Sequence, residues 1–145
     1  MQLISHAVTK SFCFYAAGAV LLIVGTRDIA KVHGLIRRAP VAGAALFLGG
    51  LAIAGAPPFA LFLSEFSVLK TGLLQGEYWA VGFLVFFIGI AFFAIMNHVS
   101  RMVFGAVDSD TPLSTVRLPV SCTITLVLAA VPVILLGIYI PGSLH

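Results

Sequence analysis

Charge is what this chain has least of. Only 9% of its 145 residues are Asp, Glu, Lys or Arg, against about a quarter in a soluble domain. With 61% hydrophobic residues and a mean hydropathy of +1.15, a soluble fold is excluded, because a chain this short cannot hide so much apolar surface. The net charge of +3 sits in short loops and makes no nucleic-acid face. Cysteine is scarce too: Cys13 and Cys122 lie in apolar segments with no metal-ligand spacing, so both read as inert small hydrophobes. The start lacks a basic region and a small-residue cleavage pattern, so it is not expected to be a signal peptide. No Gly-rich loop follows a strand, no His/Cys/Asp/Glu cluster has metal spacing, and no nucleophile has a visible base. Ordinary enzyme chemistry, metal and cofactor are therefore not expected in this chain. Any redox centre would belong to a partner.

What is present is a series of long apolar runs. The first spans about 3–25, enough for one crossing of roughly 20 residues. Positions 26–38 form a connector carrying Arg27, Asp28, Lys31, His33, Arg37 and Arg38. Its apolar residues Ile29, Val32, Leu35 and Ile36 recur at helical spacing, which predicts a short amphipathic helix at the interface. From Pro40 to Gly55 the chain is rich in Gly and Ala, as close helix packing requires. Pro57 and Pro58 then break the helix, since neither donates a backbone hydrogen bond. Apolar sequence resumes at Phe59 and stops at the turn Gln75-Gly76-Glu77. A third run covers 78–104, with Tyr78 and Trp79 as an aromatic anchor. A loop with Asp108, Asp110, Pro112 and Arg117 leads to a last span over 118–140, where Pro132 predicts a kink.

Residues 40–74 can be two spans or one broken span. The first connector carries four Lys/Arg, region 101–117 carries two, and the turn at 75–77 none. One broken span puts both positive loops on the same, cytoplasmic side, as the positive-inside rule requires. The expected fold is a single all-α transmembrane domain over 1–145: a polytopic bundle of about four crossings, one Pro-broken, with five helical segments. Two half-helices of roughly 16 residues reach about 48 Å, so they must tilt or overlap.

Within these runs a few ionisable residues lie at membrane depth, where each costs several kcal/mol unless it faces protein or water. Glu65 lies two turns beyond the proline break. Broken helices in membranes line cavities and ion sites, so Glu65 with Pro57 and Pro58 marks an ion or proton pathway. His6 and Lys10 are four apart and share a helix face, with Ser5 and Ser11 nearby. A lysine among few charges can switch its protonation state, and an imidazole can pass a proton between its nitrogens. The plain alternative is that Lys10 snorkels to the nearer surface. Lys70, five residues beyond Glu65, reads as a snorkelling end residue or a step on an exit path. His98, beside Asn97, is a secondary relay or a packing histidine. Arg101 reads as an interfacial anchor and His33 as solvated. His145, at the end of the sequence, carries no signal.

The run His6-Ala-Val-Thr-Lys10-Ser-Phe-Cys-Phe14, followed by Ala17-Gly18, resembles the "HAxxKxxxF…G" helix of the antiporter-like subunits of respiratory complex I and its relatives. Gly25-Thr-Arg-Asp-Ile29, Gly55-Ala-Pro-Pro-Phe59 and Phe62-Leu-Ser-Glu-Phe66 look most similar to component F of hydrogenase-4 and related membrane-bound hydrogenase subunits. The resemblance runs from the start to about Gly76. The last two spans match only in character. It implies a multi-pass subunit of the cytoplasmic (inner) membrane that translocates protons and has no redox catalysis of its own. Lys10 would be the central relay, His6 its neighbour and Glu65 the carboxylate of the broken helix. The implied partners are other membrane and peripheral subunits of a hydrogenase or complex I-like (NADH-quinone oxidoreductase) assembly, with the lipid bilayer and no nucleic acid. A subunit of a multisubunit sodium/proton antiporter, with the same motifs, is the alternative, and a non-transporting structural remnant a third. Family members carry two inverted repeats. The chain holds only the end of the second repeat and the helices after it, so Met1 reads as an internal start or fragment boundary.

Overall fold

The computed structural model of the chain describes residues 2–106 and 118–138, and these are helical with short connections. Helix α1 covers Gln2–Val24 and α2 the single turn Leu35–Arg38. Helices α3 (Pro40–Ile53) and α4 (Ala60–Leu74) flank the proline break, followed by α5 (Tyr78–Phe104) and α6 (Val120–Ile138). Among the described residues three helices, α1, α5 and α6, are long and apolar enough to cross a membrane. At 27 residues α5 is about 40 Å long. With 14 and 15 residues, α3 and α4 are about 21 and 22 Å, so neither half fills a hydrocarbon core of about 30 Å alone.

The packing follows from that shortness. α1, α5 and α6 each touch both α3 and α4, whereas α3 and α4 share few contacts with each other. The two halves therefore behave as segments of one interrupted column beside the three long helices, the arrangement the loop charges predict. The interior is made of small residues: Ala42, Gly43, Ala45, Gly49, Gly50 and Ala52 of α3 are all buried. α1 lays Phe12, Ala16, Ala19 and Val20 against that core, at the three- and four-residue steps of one helix face. A Cβ on Gly50 would lie 3.0 Å from Val99 Cγ2 of α5, so glycine sets how closely these helices approach.

Helix ends lie where backbone chemistry puts them. Gly55 takes φ +75°, and the amide of Ala56 donates to the Leu51 carbonyl at 3.0 Å. That pairing with a left-handed glycine is a Schellman stop. Gly76, at φ +79°, ends α4 in the same way, with the Glu77 amide donating to Gly72 O at 3.0 Å. The predicted Gln75-Gly76-Glu77 stop is therefore where the helix ends. α6 runs on through Pro132.

The connector differs from expectation. In place of one amphipathic helix, residues 26–38 form a 3-10 turn at Ile29–Lys31 and the short α2. Two local choices interrupt the helix. The Ala30 amide donates to Asp28 Oδ1 at 3.1 Å, closing a cap, and Gly34 adopts φ +64°, where a helix cannot continue. The apolar spacing still works: Val32 and Leu35 are buried against the bundle, while Ile29 stays exposed.

Large apolar side chains cover the outside. Leu3, Trp79 and Phe93 are 85%, 84% and 76% exposed. In water such a surface would aggregate. It suits lipid tails or neighbouring membrane subunits. Tyr78 and Trp79 lie together at the start of α5, at the position of an interfacial aromatic pair.

Candidate functional site

Helix periodicity builds the first half of the site. On α1, His6, Lys10, Cys13 and Ala17 follow one another at steps of four, three and four, beside the buried face of the same helix. They form one wall of a groove of about 530 Å³. Leu46, Gly50 and Ile53 of α3 form a second wall, and Ile95 and Val99 of α5 a third. Lys10 and His6 thus lie together in an open groove between three helices, lined otherwise by apolar side chains and Cys13. Both are exposed to it rather than enclosed.

The proline break builds the second half. After Ile53 the chain turns through Ala54, Gly55 and Ala56, all buried, while Pro57 and Pro58 are exposed. The Phe59 amide donates to Ala56 O at 3.0 Å, which closes a turn over the two prolines. Phe59, 7% exposed, then starts α4. From the second turn of α4 the half-buried Glu65 side chain reaches back over this break: a Cβ on Gly55 would lie 2.5 Å from Glu65 Oε2 and 3.1 Å from Oε1. Only a glycine lets the carboxylate lie there. α6 closes the far side, with Gly137 against the Pro58 carbonyl and 3.0 Å, by its would-be Cβ, from Phe59 Cα.

Lys10 and Glu65 therefore belong to neighbouring compartments. Glu65 does not line the groove of His6 and Lys10. Ile53 is one of the residues that line the groove, and Gly55, under the carboxylate, comes two residues later in the chain. Lys70 is exposed on α4 and lines neither compartment. His98 lines a different cleft, formed with Ile29, His33, Arg101 and Met102. His33 is half-buried in that cleft, with Nδ1 3.1 Å from a would-be Cβ on Gly105, so it is not simply solvated. His145 lies outside the described residues, as does the loop with Asp108 and Asp110. Ser11 donates to the Ala7 carbonyl at 2.9 Å within its own helix, which engages that hydroxyl locally.

Two polar contributions exceed what the sequence suggests. Cys13 lines the groove with Lys10, and its thiol donates to the Gly49 carbonyl at 3.3 Å. The three-residue step from Lys10 was the signal for it. Ser5 and Thr9, 2% and 4% exposed, carry hydroxyls into the buried face of α1. Among the described residues no three of His, Cys, Asp or Glu come together as metal ligands would.

Residues 1–92 match the family described as NADH:quinone oxidoreductase/Mrp antiporter, TM. The chain belongs to that family. The match covers α1, both halves of the broken helix and the first part of α5, and so includes His6, Lys10, Pro57, Pro58 and Glu65. Among curated relatives, a hydrogenase-4 component F homolog of Methylacidiphilum infernorum is 36% identical over 137 residues, 94% of this chain and 27% of that protein. A Na(+)/H(+) antiporter subunit of Bacillus subtilis is 34% identical over 76 residues, 52% of this chain and 15% of that protein. An antiporter subunit of Staphylococcus aureus, mnhD2, is 27% identical over 143 residues, 99% of this chain and 28% of that protein. The chain thus spans less than a third of the length of these relatives. It is a membrane antiporter-like sequence of the kind found in complex I-like and Mrp-type assemblies.

Proposed function

We propose that the chain forms part or all of a proton-translocating membrane subunit of a hydrogenase-4-like or NADH-quinone oxidoreductase-like complex. In this reading Lys10 is the central proton holder, His6 its relay neighbour and Glu65 the terminal carboxylate. The observation that carries it is the placing of ionisable groups beside interrupted backbone: Lys10 and His6 line a groove that Ile53 of α3 also lines, and the Glu65 carboxylate covers Gly55, two residues further along the chain. Charged groups at membrane depth are retained where they serve an ion path, and a helix broken at such a group is a recurring form of ion site. Other membrane subunits complete the path along the exposed faces, and the broken span makes both basic loops cytoplasmic.

The test is proton transfer by the assembled complex in sealed vesicles. Glu65→Gln is expected to lower the rate by about a hundredfold or more, the range of a lost proton-transfer group, with assembly intact. Lys10→Arg keeps the charge but cannot release the proton, and is expected to lose transfer as well. A snorkelling anchor would tolerate arginine, so normal transfer by Lys10→Arg would contradict the role given to Lys10.

A second reading is favoured by the two relatives named as antiporter subunits: exchange of sodium for protons with no redox partner. Proton movement that requires a sodium gradient, and no electron donor, would select it.

A further inference from the structure

Away from the groove, the structure has a second polar concavity. A cleft of about 370 Å³ lies between the 3-10 turn of the connector and the last turns of α5. His33, His98 and Arg101 supply its polar groups, and Ile29 and Met102 part of its apolar wall. None of the described residues lining it is acidic. The carboxylate closest in sequence, Asp28, is engaged elsewhere: it pairs with Lys31 at 3.5 Å and accepts the Ala30 amide. α2, which carries Arg37, packs against the same helix. Two imidazoles and a guanidinium thus share a small concavity with no acidic neighbour among the described residues that line it. A phosphate oxygen matches that donor set.

The surface next to the cleft says what kind of phosphate. On α5, Phe87, Ile90, Ala94, His98 and Arg101 succeed one another at steps of three and four, so they form one face. Phe87 and Ile90 are 61% and 51% exposed, and Ala94 is exposed too. A cationic cleft therefore continues directly into an open apolar stripe down the helix. A free anion needs only the cleft. A phospholipid uses both, with headgroup in the cleft and acyl chain along the stripe. Basic pockets at the cytoplasmic ends of membrane helices take anionic headgroups in this way, and aliphatic tails suit the face that bears Phe87.

We infer that His33, His98 and Arg101 form a headgroup site for an anionic phospholipid, whose acyl chain runs along the exposed Phe87–Ala94 face of α5. The site is separate from the proton path and holds whether the subunit serves a redox-driven pump or an antiporter.

The intact membrane complex, in discs of phosphatidylcholine with and without phosphatidylglycerol, provides the test. Native mass spectrometry after release from the discs is expected to retain phosphatidylglycerol in preference to phosphatidylcholine. Arg101→Gln should lower that preference about fivefold, the size of one basic residue's pull on an anionic lipid, and His98→Gln should lower it further. Arg27→Gln, an exposed connector residue outside the cleft, should change it little. Equal retention of the two lipids by the wild-type complex overturns the proposal without any variant. Loss with Arg27→Gln as large as with Arg101→Gln also overturns it, since that is a diffuse charge effect. Displacement of the lipid by millimolar inorganic phosphate would make the cleft a soluble-anion site instead. A side chain of a neighbouring subunit filling the cleft in the assembled complex would equally contradict a lipid there.

Discussion

Gly55 is what lets the Glu65 carboxylate lie over the break. The glycine adopts a backbone conformation that ends α3, and its missing side chain leaves room for a carboxylate. Those two roles can be separated. Gly55→Ala introduces strain at φ +75° and a Cβ 2.5 Å from Glu65 Oε2. Gly76→Ala introduces similar strain at φ +79° with nothing within 4 Å. Both are expected to destabilise the protein by about 1–3 kcal/mol, read as a lower unfolding temperature in detergent. Only Gly55→Ala is expected to impair proton transfer further, because it alone moves the carboxylate. Equal transfer by the two variants would show that the Glu65–Gly55 contact has no part in function. The place of Lys10 beside His6 on one wall of the groove was legible from their spacing of four residues. The contact of Glu65 with Gly55 was not, since ten residues separate them in sequence and only the fold of the break joins them. His33 was hidden for the same reason. Its neighbours His98, Arg101 and Gly105 are some seventy residues away, and nothing local in the connector announces them.

Among the elements, the broken helix depends on its lid. Gly137 of α6 lies against the Pro58 carbonyl, where prolines leave backbone groups without helical partners. Gly137→Ala is expected to lower the unfolding temperature, because the added methyl meets backbone at Pro58 and Phe59 rather than a flexible side chain. Gly82→Ala is the matched control: Gly82 lies in α5 with open space where a Cβ would be, so alanine should stabilise by up to about 1 kcal/mol. A Gly137→Ala protein as stable as wild type would mean that α6 gives way freely and does not hold the break. Element boundaries were largely readable. Hydrophobic length located α1, α5 and α6, Pro57-Pro58 located the break, and Gln75-Gly76-Glu77 the stop after α4. The connector was misread because helical spacing of apolar residues outweighed a single glycine. Gly34 in the left-handed region, together with the Asp28 cap, divides that stretch into two short pieces.

For the molecule as a whole, the sharing of α1, α5 and α6 between the two half-helices implies one crossing by α3 and α4 together. It follows that the connector and the α4–α5 turn face opposite sides of the membrane. With Cys13 and Cys122 replaced, single cysteines at Arg27 and Gln75 should react with an impermeant thiol reagent from opposite sides. Reaction from the same side would mean two full crossings by residues 40–74 and would remove the broken span from the account. The exposed apolar faces of α1, α5 and α6 bear on the same scale. They are apolar surfaces suited to lipid or to neighbouring membrane subunits.

Everything proposed about transport turns on one carboxyl group taking up and giving off a proton during turnover. Infrared difference spectroscopy of the working complex reads that event as a carbonyl-stretch band of a protonated acid. The band is expected to be present in the wild-type difference spectrum and missing in that of Glu65→Gln. An identical spectrum from the two proteins would contradict the proton path through the break.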